Sequence, residues 1–282
     1  MSWRVAGLGL AALIGAAGSA GGAAPLPDIY VLAGQSNMSG RGVLADLTEA
    51  ERAPVPDVMM LGNDGIVRPA MEPIDSAQGQ QDMVSADRLA AVGPGLFFAR
   101  ALIARQRRPI ILIPCAKGGS AIARWRPGED RTTLYGSCLA RVRSVRGRLA
   151  GILWYQGESD TENETAATGY GAALADLVGH FRRDLGRAEL PFLFAQIADR
   201  PAAPEHVARY PGWAMVQAAP RDLRLRCAYM VPTGGLVRQA DELHLVTDAQ
   251  RRLGMAMARA MMALQADGWG AEARPPPYSV FS

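Results

Sequence analysis

Ser36 lies in Gly34-Gln35-Ser36-Asn37, directly after the short apolar run Ile-Tyr-Val-Leu-Ala at 29–33. A run of that length, rich in β-formers, is enough for one buried strand. A serine just past the C-terminal end of a buried parallel strand stands where open α/β sheets place their ligands. Gly34 has no Cβ, so the chain can turn sharply there and a substrate can come close. The same residues also suit an ordinary βα loop in which a small polar side chain caps the next helix.

A serine nucleophile needs a base, and acyl transfer also needs donors for the oxyanion. Ordinary serine catalysis takes a histidine, and the chain has three. His180 falls in an amphipathic stretch and reads as a surface or packing residue. His206 falls in the Pro/Ala-rich loop 201–210, where it could line a cleft. His244 belongs to Asp241-Glu242-Leu243-His244-Leu245. An aspartate three residues before a histidine, in one turn, can direct its carboxylate at Nδ1 while Nε2 faces a serine. The competing reading of that segment is a helix-entry turn with an acidic cap. Two further polar, glycine-containing turns follow apolar runs: Lys117-Gly118-Gly119-Ser120 and Gln156-Gly157-Glu158.

These residues meet only if the elements carrying them form one sheet. Strand-like runs are expected at 29–33, 57–61, 110–114, 150–155, 191–197 and, shorter, 226–231. Helical spacing is expected at 95–105, 134–145, 166–185, from 211 to 219, and at 248–264, with a polar excursion of no clear period over 68–88. Strands alternating with helices at this spacing predict a parallel sheet covered on both faces. We expect one α/β domain, a three-layer α/β/α sandwich with a mainly parallel sheet of five or six strands. In a parallel sheet all strand C-termini share one edge, so the three polar turns should converge there.

Composition sets the frame. The chain has 282 residues, 49% apolar and 20% charged, with a formal net charge of +3. That suits a single large domain able to bury its own core, and it gives no case for a nucleic-acid partner. Residues 1–24 read as a secretory signal peptide, with Arg4 as the positive region, an apolar run and small residues before 25. The expectation is an exported protein, periplasmic or secreted, whose domain spans 25–282 and which keeps no membrane segment after cleavage. Three cysteines allow one internal disulfide. Cys115, at the end of a strand-like run, reads as a small buried hydrophobe, and a Cys138–Cys227 bridge is possible. No Cys/His cluster suggests a metal site, and no cofactor is expected.

Together, GQSNMSGRG near the start, PCAKGGSAIARW in the middle, WYQGESD after the fourth strand and DELHL before the last helix resemble the SGNH/GDSL hydrolases. More narrowly they are similar to the carbohydrate esterase family 6 and sialate O-acetylesterase branch, in which the serine lies in GQSN. The resemblance runs from about residue 28 to about residue 264. It implies a flavodoxin-like SGNH fold, with Ser36 as nucleophile, His244 as general base and acid, and Asp241 as the orienter of His244. It also implies an oxyanion hole built from the Ser36 N–H, a backbone N–H of the Gly118-Gly119 turn and the Gln156 side-chain amide. Gln156 stands where most SGNH enzymes have an asparagine. Glu158 would fix these loops, and Gln35 and Asn37 would hold the turn around Ser36. Arg124 and Trp125 could face the ligand, or Trp125 could be packed.

The implied substrate is an acetylated carbohydrate, with acetylated xylan and O-acetylated sialic acid as candidates. Larger sialate-branch members carry extra domains, for which this chain has no room, and that favours a polysaccharide or oligosaccharide acetylesterase. A general short-chain esterase and a non-catalytic sugar-binding protein on the same fold are the alternatives.

Overall fold

The computed structural model describes residues 25–84 and 91–266. The expected signal peptide at 1–24 and the tail from 268 lie outside the described residues. The sheet has seven strands: β1 (Asp28–Gly34), β2 (Val58–Leu61), β3 (Val67–Pro69), β4 (Ile110–Ala116), β5 (Arg148–Tyr155), β6 (Phe192–Ala195) and β7 (Ala228–Val231). Their spatial order is β3-β2-β4-β1-β5-β6-β7. All neighbouring pairs are parallel except β2 with β3. The five strands β4-β1-β5-β6-β7 have the flavodoxin-like order 2-1-3-4-5. The β2–β3 hairpin extends the sheet beyond β4.

The expected count of five or six strands is therefore corrected to seven. The extra one, β3, has only three residues, Val67-Arg68-Pro69, none of them buried. A short exposed edge strand carries no apolar pattern, so it is not distinguishable in sequence from the polar excursion that follows it.

Helices α1 (Ser36–Ser39), α2 (Glu49–Arg52), α3 (Gly95–Ile103), α4 (Leu134–Ser144), α5 (Glu164–Asp184), α6 (Pro204–Arg209), α7 (Trp213–Asp222) and α8 (Thr247–Ala266) fill the connections. All seven residues of β1 are buried, as a central parallel strand covered on both faces requires. On one face α3 brings Phe98 edge-on to Tyr30, with ring centroids 5.0 Å apart, and α8 lays Met261 over Gly151 of β5. On the other face Tyr135 of α4 packs on Phe181 of α5, and Phe181 on Phe192 of β6, with centroids 4.6 and 6.4 Å apart. Such aromatic contacts add to the area each ring buries. The result is the expected three-layer sandwich.

The disulfide joins Cys115 of β4 to Cys138 of α4, with Cα atoms 5.4 Å apart. The alternative Cys138–Cys227 pair is not formed. α4 packs directly on β4, whereas Cys227 enters β7 at the far edge of the sheet, where it is buried and keeps its thiol.

Candidate active site

The turn after β1 is set by the backbone. Gly34 has φ +129°, and a Cβ built there would stand 2.1 Å from the carbonyl oxygen of Tyr155. The chain thus crosses tightly over the end of β5, and the Gln35 N–H donates to that same oxygen at 2.8 Å. A single helical turn follows, in which the N–H groups of Met38 and Ser39 donate to Gln35 O and that of Gly40 to Ser36 O. Helix geometry offers no backbone acceptor to the first-turn N–H groups of Ser36 and Asn37.

The two ends of the chain meet at this edge. His244 Nε2 lies 3.0 Å from Ser36 Oγ. On the other side of the ring, His244 Nδ1 is 2.6 Å from Asp241 Oδ2. Asp241 Oδ1 accepts from the N–H groups of Leu243 and His244 at 3.0 and 2.9 Å. Partial burial pulls the Asp241 carboxyl upward, but the His244 N–H, its imidazole and the Leu243 N–H outweigh that and hold it below the usual carboxylate range. It therefore stays an anion aimed at Nδ1, the geometry that fixes the tautomer of a general base.

Asn37 joins the two segments. Its Nδ2 donates to Glu158 Oε1 at 2.7 Å and to Leu243 O at 3.1 Å, and its Oδ1 accepts from the Leu245 N–H at 3.0 Å. Both flanks of His244 are thereby tied to the residue after Ser36. Gln35 does the same for the third turn: its Oε1 accepts from Gln156 Nε2, the Gly157 N–H and the Ser159 N–H at 3.2 to 3.4 Å.

Ser36 and His244 face an open cleft of about 440 Å³, within the usual range of small-molecule sites. Gln35, Ser36, Gly119, Glu158, Leu243 and His244 form its base. Gly119 has φ +64°, and a Cβ there would meet nothing within 4 Å, so its exposed backbone is open to a ligand. Gly118 is half-buried and does not line the cleft.

Gln156 is placed differently from the expectation. It is 1% exposed, and its Nε2 is directed at Ser120 O, Asp160 Oδ2 and Gln35 Oε1. Its two amide hydrogens are taken inside the protein rather than aimed at the cleft. Trp125 is packed: it is 1% exposed, edge-on to Trp154 at 5.0 Å, and its Nε1 donates to Ser120 Oγ. Arg124 is exposed and stands away from the cleft.

Sequence reasoning missed Arg41, Ser159, Glu162, Arg209 and Tyr210, which also line the cleft. Arg209 and Tyr210 come from the loop singled out for His206, but α6 turns His206 Nδ1 to Glu242 instead. His180 lies on the surface of α5 beside Arg183. Among the described residues, no group of three or more His, Cys, Asp or Glu side chains is placed to hold a metal ion.

Glu158 is the buried acid of the site. Its second oxygen, Oε2, has no hydrogen-bond partner. Burial raises its carboxyl from 4.5 to about 7, against the lowering effect of Asn37. Below about 4.5 both folded and unfolded chains hold this proton; between about 4.5 and 7 only the folded chain does. The contribution of this group to stability is therefore greatest at low pH and is lost as pH rises to about 7, by roughly 3 kcal/mol in all. Glu158→Gln keeps an acceptor for Asn37 and removes the titration. The variant is expected to gain stability over the wild type between about pH 5 and pH 8, read as urea midpoints. A difference that stays constant across that range would refute the assignment.

Comparison with known proteins gives the family of the chain and its fold. Residues 27–263 match the family model described as SASA, carbohydrate esterase, sialic acid-specific acetylesterase. A probable carbohydrate esterase of Arabidopsis thaliana is 32% identical over 258 residues, covering 85% of this chain and 92% of that relative. The crystal structure of that plant protein aligns with a TM-score of 0.73 over 84% of this chain and 98% of its own. A probable 9-O-acetyl-N-acetylneuraminic acid deacetylase of Escherichia coli is 26% identical over 205 residues, covering 56% of this chain and 62% of that relative. A carbohydrate acetylesterase from Xanthomonas citri shares the fold, with a TM-score of 0.64 and 22% identity over 86% of this chain and 56% of its own.

Proposed function

Because this chain belongs to the carbohydrate esterase family of sialic acid-specific acetylesterases, and is thus a carbohydrate acetylesterase, we propose that it works through an acyl-enzyme on Ser36, with His244 and Asp241 completing the triad. The observation that carries this reading is the line from Asp241 Oδ2 through His244 to Ser36 Oγ, at 2.6 and 3.0 Å. His244 Nε2 takes the serine proton as Oγ attacks the acetyl carbonyl. The imidazolium, stabilised by Asp241, returns that proton to the leaving sugar oxygen. A water then attacks the acetyl-serine, again deprotonated by His244, and acetate leaves. The Ser36 N–H and a backbone N–H at Gly119 are the proposed oxyanion donors. Gln156 supports them indirectly, by fixing Gln35 beneath the nucleophile.

The cleft favours a short acyl group. Leu243 and Tyr210 are the apolar side chains in its lining. A longer acyl chain gains roughly 0.8 kcal/mol per methylene only where an apolar wall receives it. On p-nitrophenyl esters, kcat/KM for acetate is expected to exceed that for octanoate by at least about tenfold. Equal or reversed preference would sink the acetyl assignment and favour a general lipase-like esterase.

For the alcohol side, the proposed substrate is an acetylated polysaccharide or oligosaccharide of the acetylxylan type. O-acetylated sialic acid is a second reading: Arg41 and Arg209 line the cleft and suit a sugar carboxylate, although Arg209 is also paired with Glu162, 2.9 Å away. Acetate release from acetylated xylan and from O-acetyl sialic acid separates the two. The protein is further proposed to act after export. The buried Cys115–Cys138 disulfide supports this, since such bonds persist in oxidising compartments.

A further inference from the structure

Glu242 stands between the two residues assigned to the triad loop, yet the mechanism gives it nothing to do. Its backbone has φ +54°, a conformation uncommon for a residue with a side chain. Strained positions of this kind persist only where the surroundings hold them in place, and they gather at functional sites. Here the surroundings hold both backbone and side chain. The Glu242 N–H donates to Gln239 O at 2.9 Å, and Glu242 O accepts from Arg238 Nη1 at 2.6 Å. The side chain leaves the turn and reaches α6. One oxygen, Oε2, accepts from the Ala202 N–H at 3.0 Å and the Ala203 N–H at 2.9 Å, and lies 3.1 Å from His206 Nδ1.

The far side of that contact is the cleft wall. Ala203 is the N-cap of α6, and His206 is its third residue. The same helix ends on Arg209 and leads into Tyr210, and both of these line the cleft. The ring of His206 lies 6.3 Å from that of Tyr210, and the Arg209 guanidinium is 5.2 Å from the Tyr210 ring centre. A continuous set of contacts thus runs from the Asp241–His244 turn, through one carboxylate, to the side chains that would face the sugar.

We propose that Glu242 is a positioning residue that locks the Asp241–His244 turn to α6, so that the base and the sugar-facing wall of the cleft are set as one unit. The inference rests on the reading of Ser36, His244 and Asp241 given above. It assigns to His206 a part in that lock rather than in proton transfer. It also specifies what the lock needs: an uncharged acceptor of the same reach suffices, because a single oxygen makes all three contacts.

Three substitutions separate this role from a merely structural one. Glu242→Gly relieves the positive φ and deletes the acceptor. Glu242→Asn tolerates the left-handed backbone but is one methylene too short to reach Ala203. Glu242→Gln keeps both reach and acceptor. With p-nitrophenyl acetate, Gly and Asn are expected to lower kcat roughly ten- to a hundredfold, the usual penalty for a misplaced catalytic group. Thermal midpoints should stay within a few degrees of the wild type. Gln should restore kcat to within about threefold. With an acetylated oligosaccharide, KM should rise in the Gly and Asn variants, whereas KM for the small aryl ester, which does not span the wall, should not.

Wild-type kcat in Glu242→Gly or Glu242→Asn would overturn the proposal, leaving Glu242 as a turn residue only. A Gln variant as impaired as Gly would overturn it as well, because the hydrogen bonds would then not be what matters. Should Gly fail to fold, the Asn and Gln pair decides alone. Ser36→Ala, assayed in parallel, keeps the two claims apart. Activity retained there removes the esterase reading itself, whereas an inactive Ser36→Ala beside a fully active Glu242→Gly removes only the lock.

Discussion

Ser36→Ala is expected to lower kcat for p-nitrophenyl acetate by at least about a thousandfold while moving the thermal midpoint by no more than a few degrees. The two halves of that expectation have separate causes. The hydroxyl lies 3.0 Å from His244 Nε2, and its oxygen is the atom to be acylated. Without it, no acyl-enzyme forms, and what remains is whatever hydrolysis the oxyanion donors and His244 can promote through water. Stability is a different matter. The turn that presents Ser36 is held by Gln35, Asn37 and backbone bonds, none of which uses Ser36 Oγ. The hydroxyl makes one side-chain hydrogen bond, to an imidazole that is itself partly exposed. Loss of such a bond costs about 1 kcal/mol or less. A variant that hydrolyses the ester at the wild-type rate, with a normal melting curve, would remove Ser36 from the mechanism. Covalent labelling gives the same answer independently: an organophosphate such as paraoxon should modify the wild type at one equivalent and release p-nitrophenol, and the variant should release none.

How much of this could be read in the chain beforehand follows from what each residue does locally. The Ser36 turn and the Asp241–His244 turn were legible because each is short-range chemistry. A permissive glycine after a strand, and an acid three residues before a histidine, state their geometry within one turn. Their meeting was legible because parallel strands bring their C-termini to one edge, whatever the distance in sequence. Gln156 shows where that reasoning stops. Its position at the strand end was right, but the direction of its amide depends on Ser120, Asp160 and Gln35, which only the folded chain assembles. The disulfide pairing was not legible for a similar reason. Cys115, Cys138 and Cys227 offer no local signal of who faces whom, and the packing of α4 on β4 settles it. β3 and the cleft wall carried by α6 were missed because both are too short and too polar to show a period. α6 opens on Pro204, a good first helical residue, but its six residues have no buried face.

The largest effect on folding is expected from one methyl group on the same turn. Gly34→Ala should destabilise the protein by roughly 2–6 kcal/mol, the combined range for a strained φ and an overpacked contact. The added Cβ would lie 2.1 Å from Tyr155 O, 2.7 Å from Tyr155 C and 2.9 Å from Tyr155 N. These are backbone atoms of β5, a strand paired on both sides within the sheet, so they cannot swing away as a side-chain tip could. Moving β1 instead would break the Gln35 N–H bond to Tyr155 O and carry Ser36 away from His244. Domains of this size are stable by only about 5–15 kcal/mol, so the variant should unfold at markedly lower urea, and any folded fraction should turn over poorly. Gly119→Ala is the matched comparison. It too has a positive φ, +64°, but its Cβ would meet nothing within 4 Å, so it should lose only about 1 kcal/mol. Urea midpoints for the two variants differ sharply if the close approach of β1 to β5 is what requires glycine at 34. Similar midpoints would mean that φ alone decides, and that the crossing is looser than the 2.1 Å contact implies.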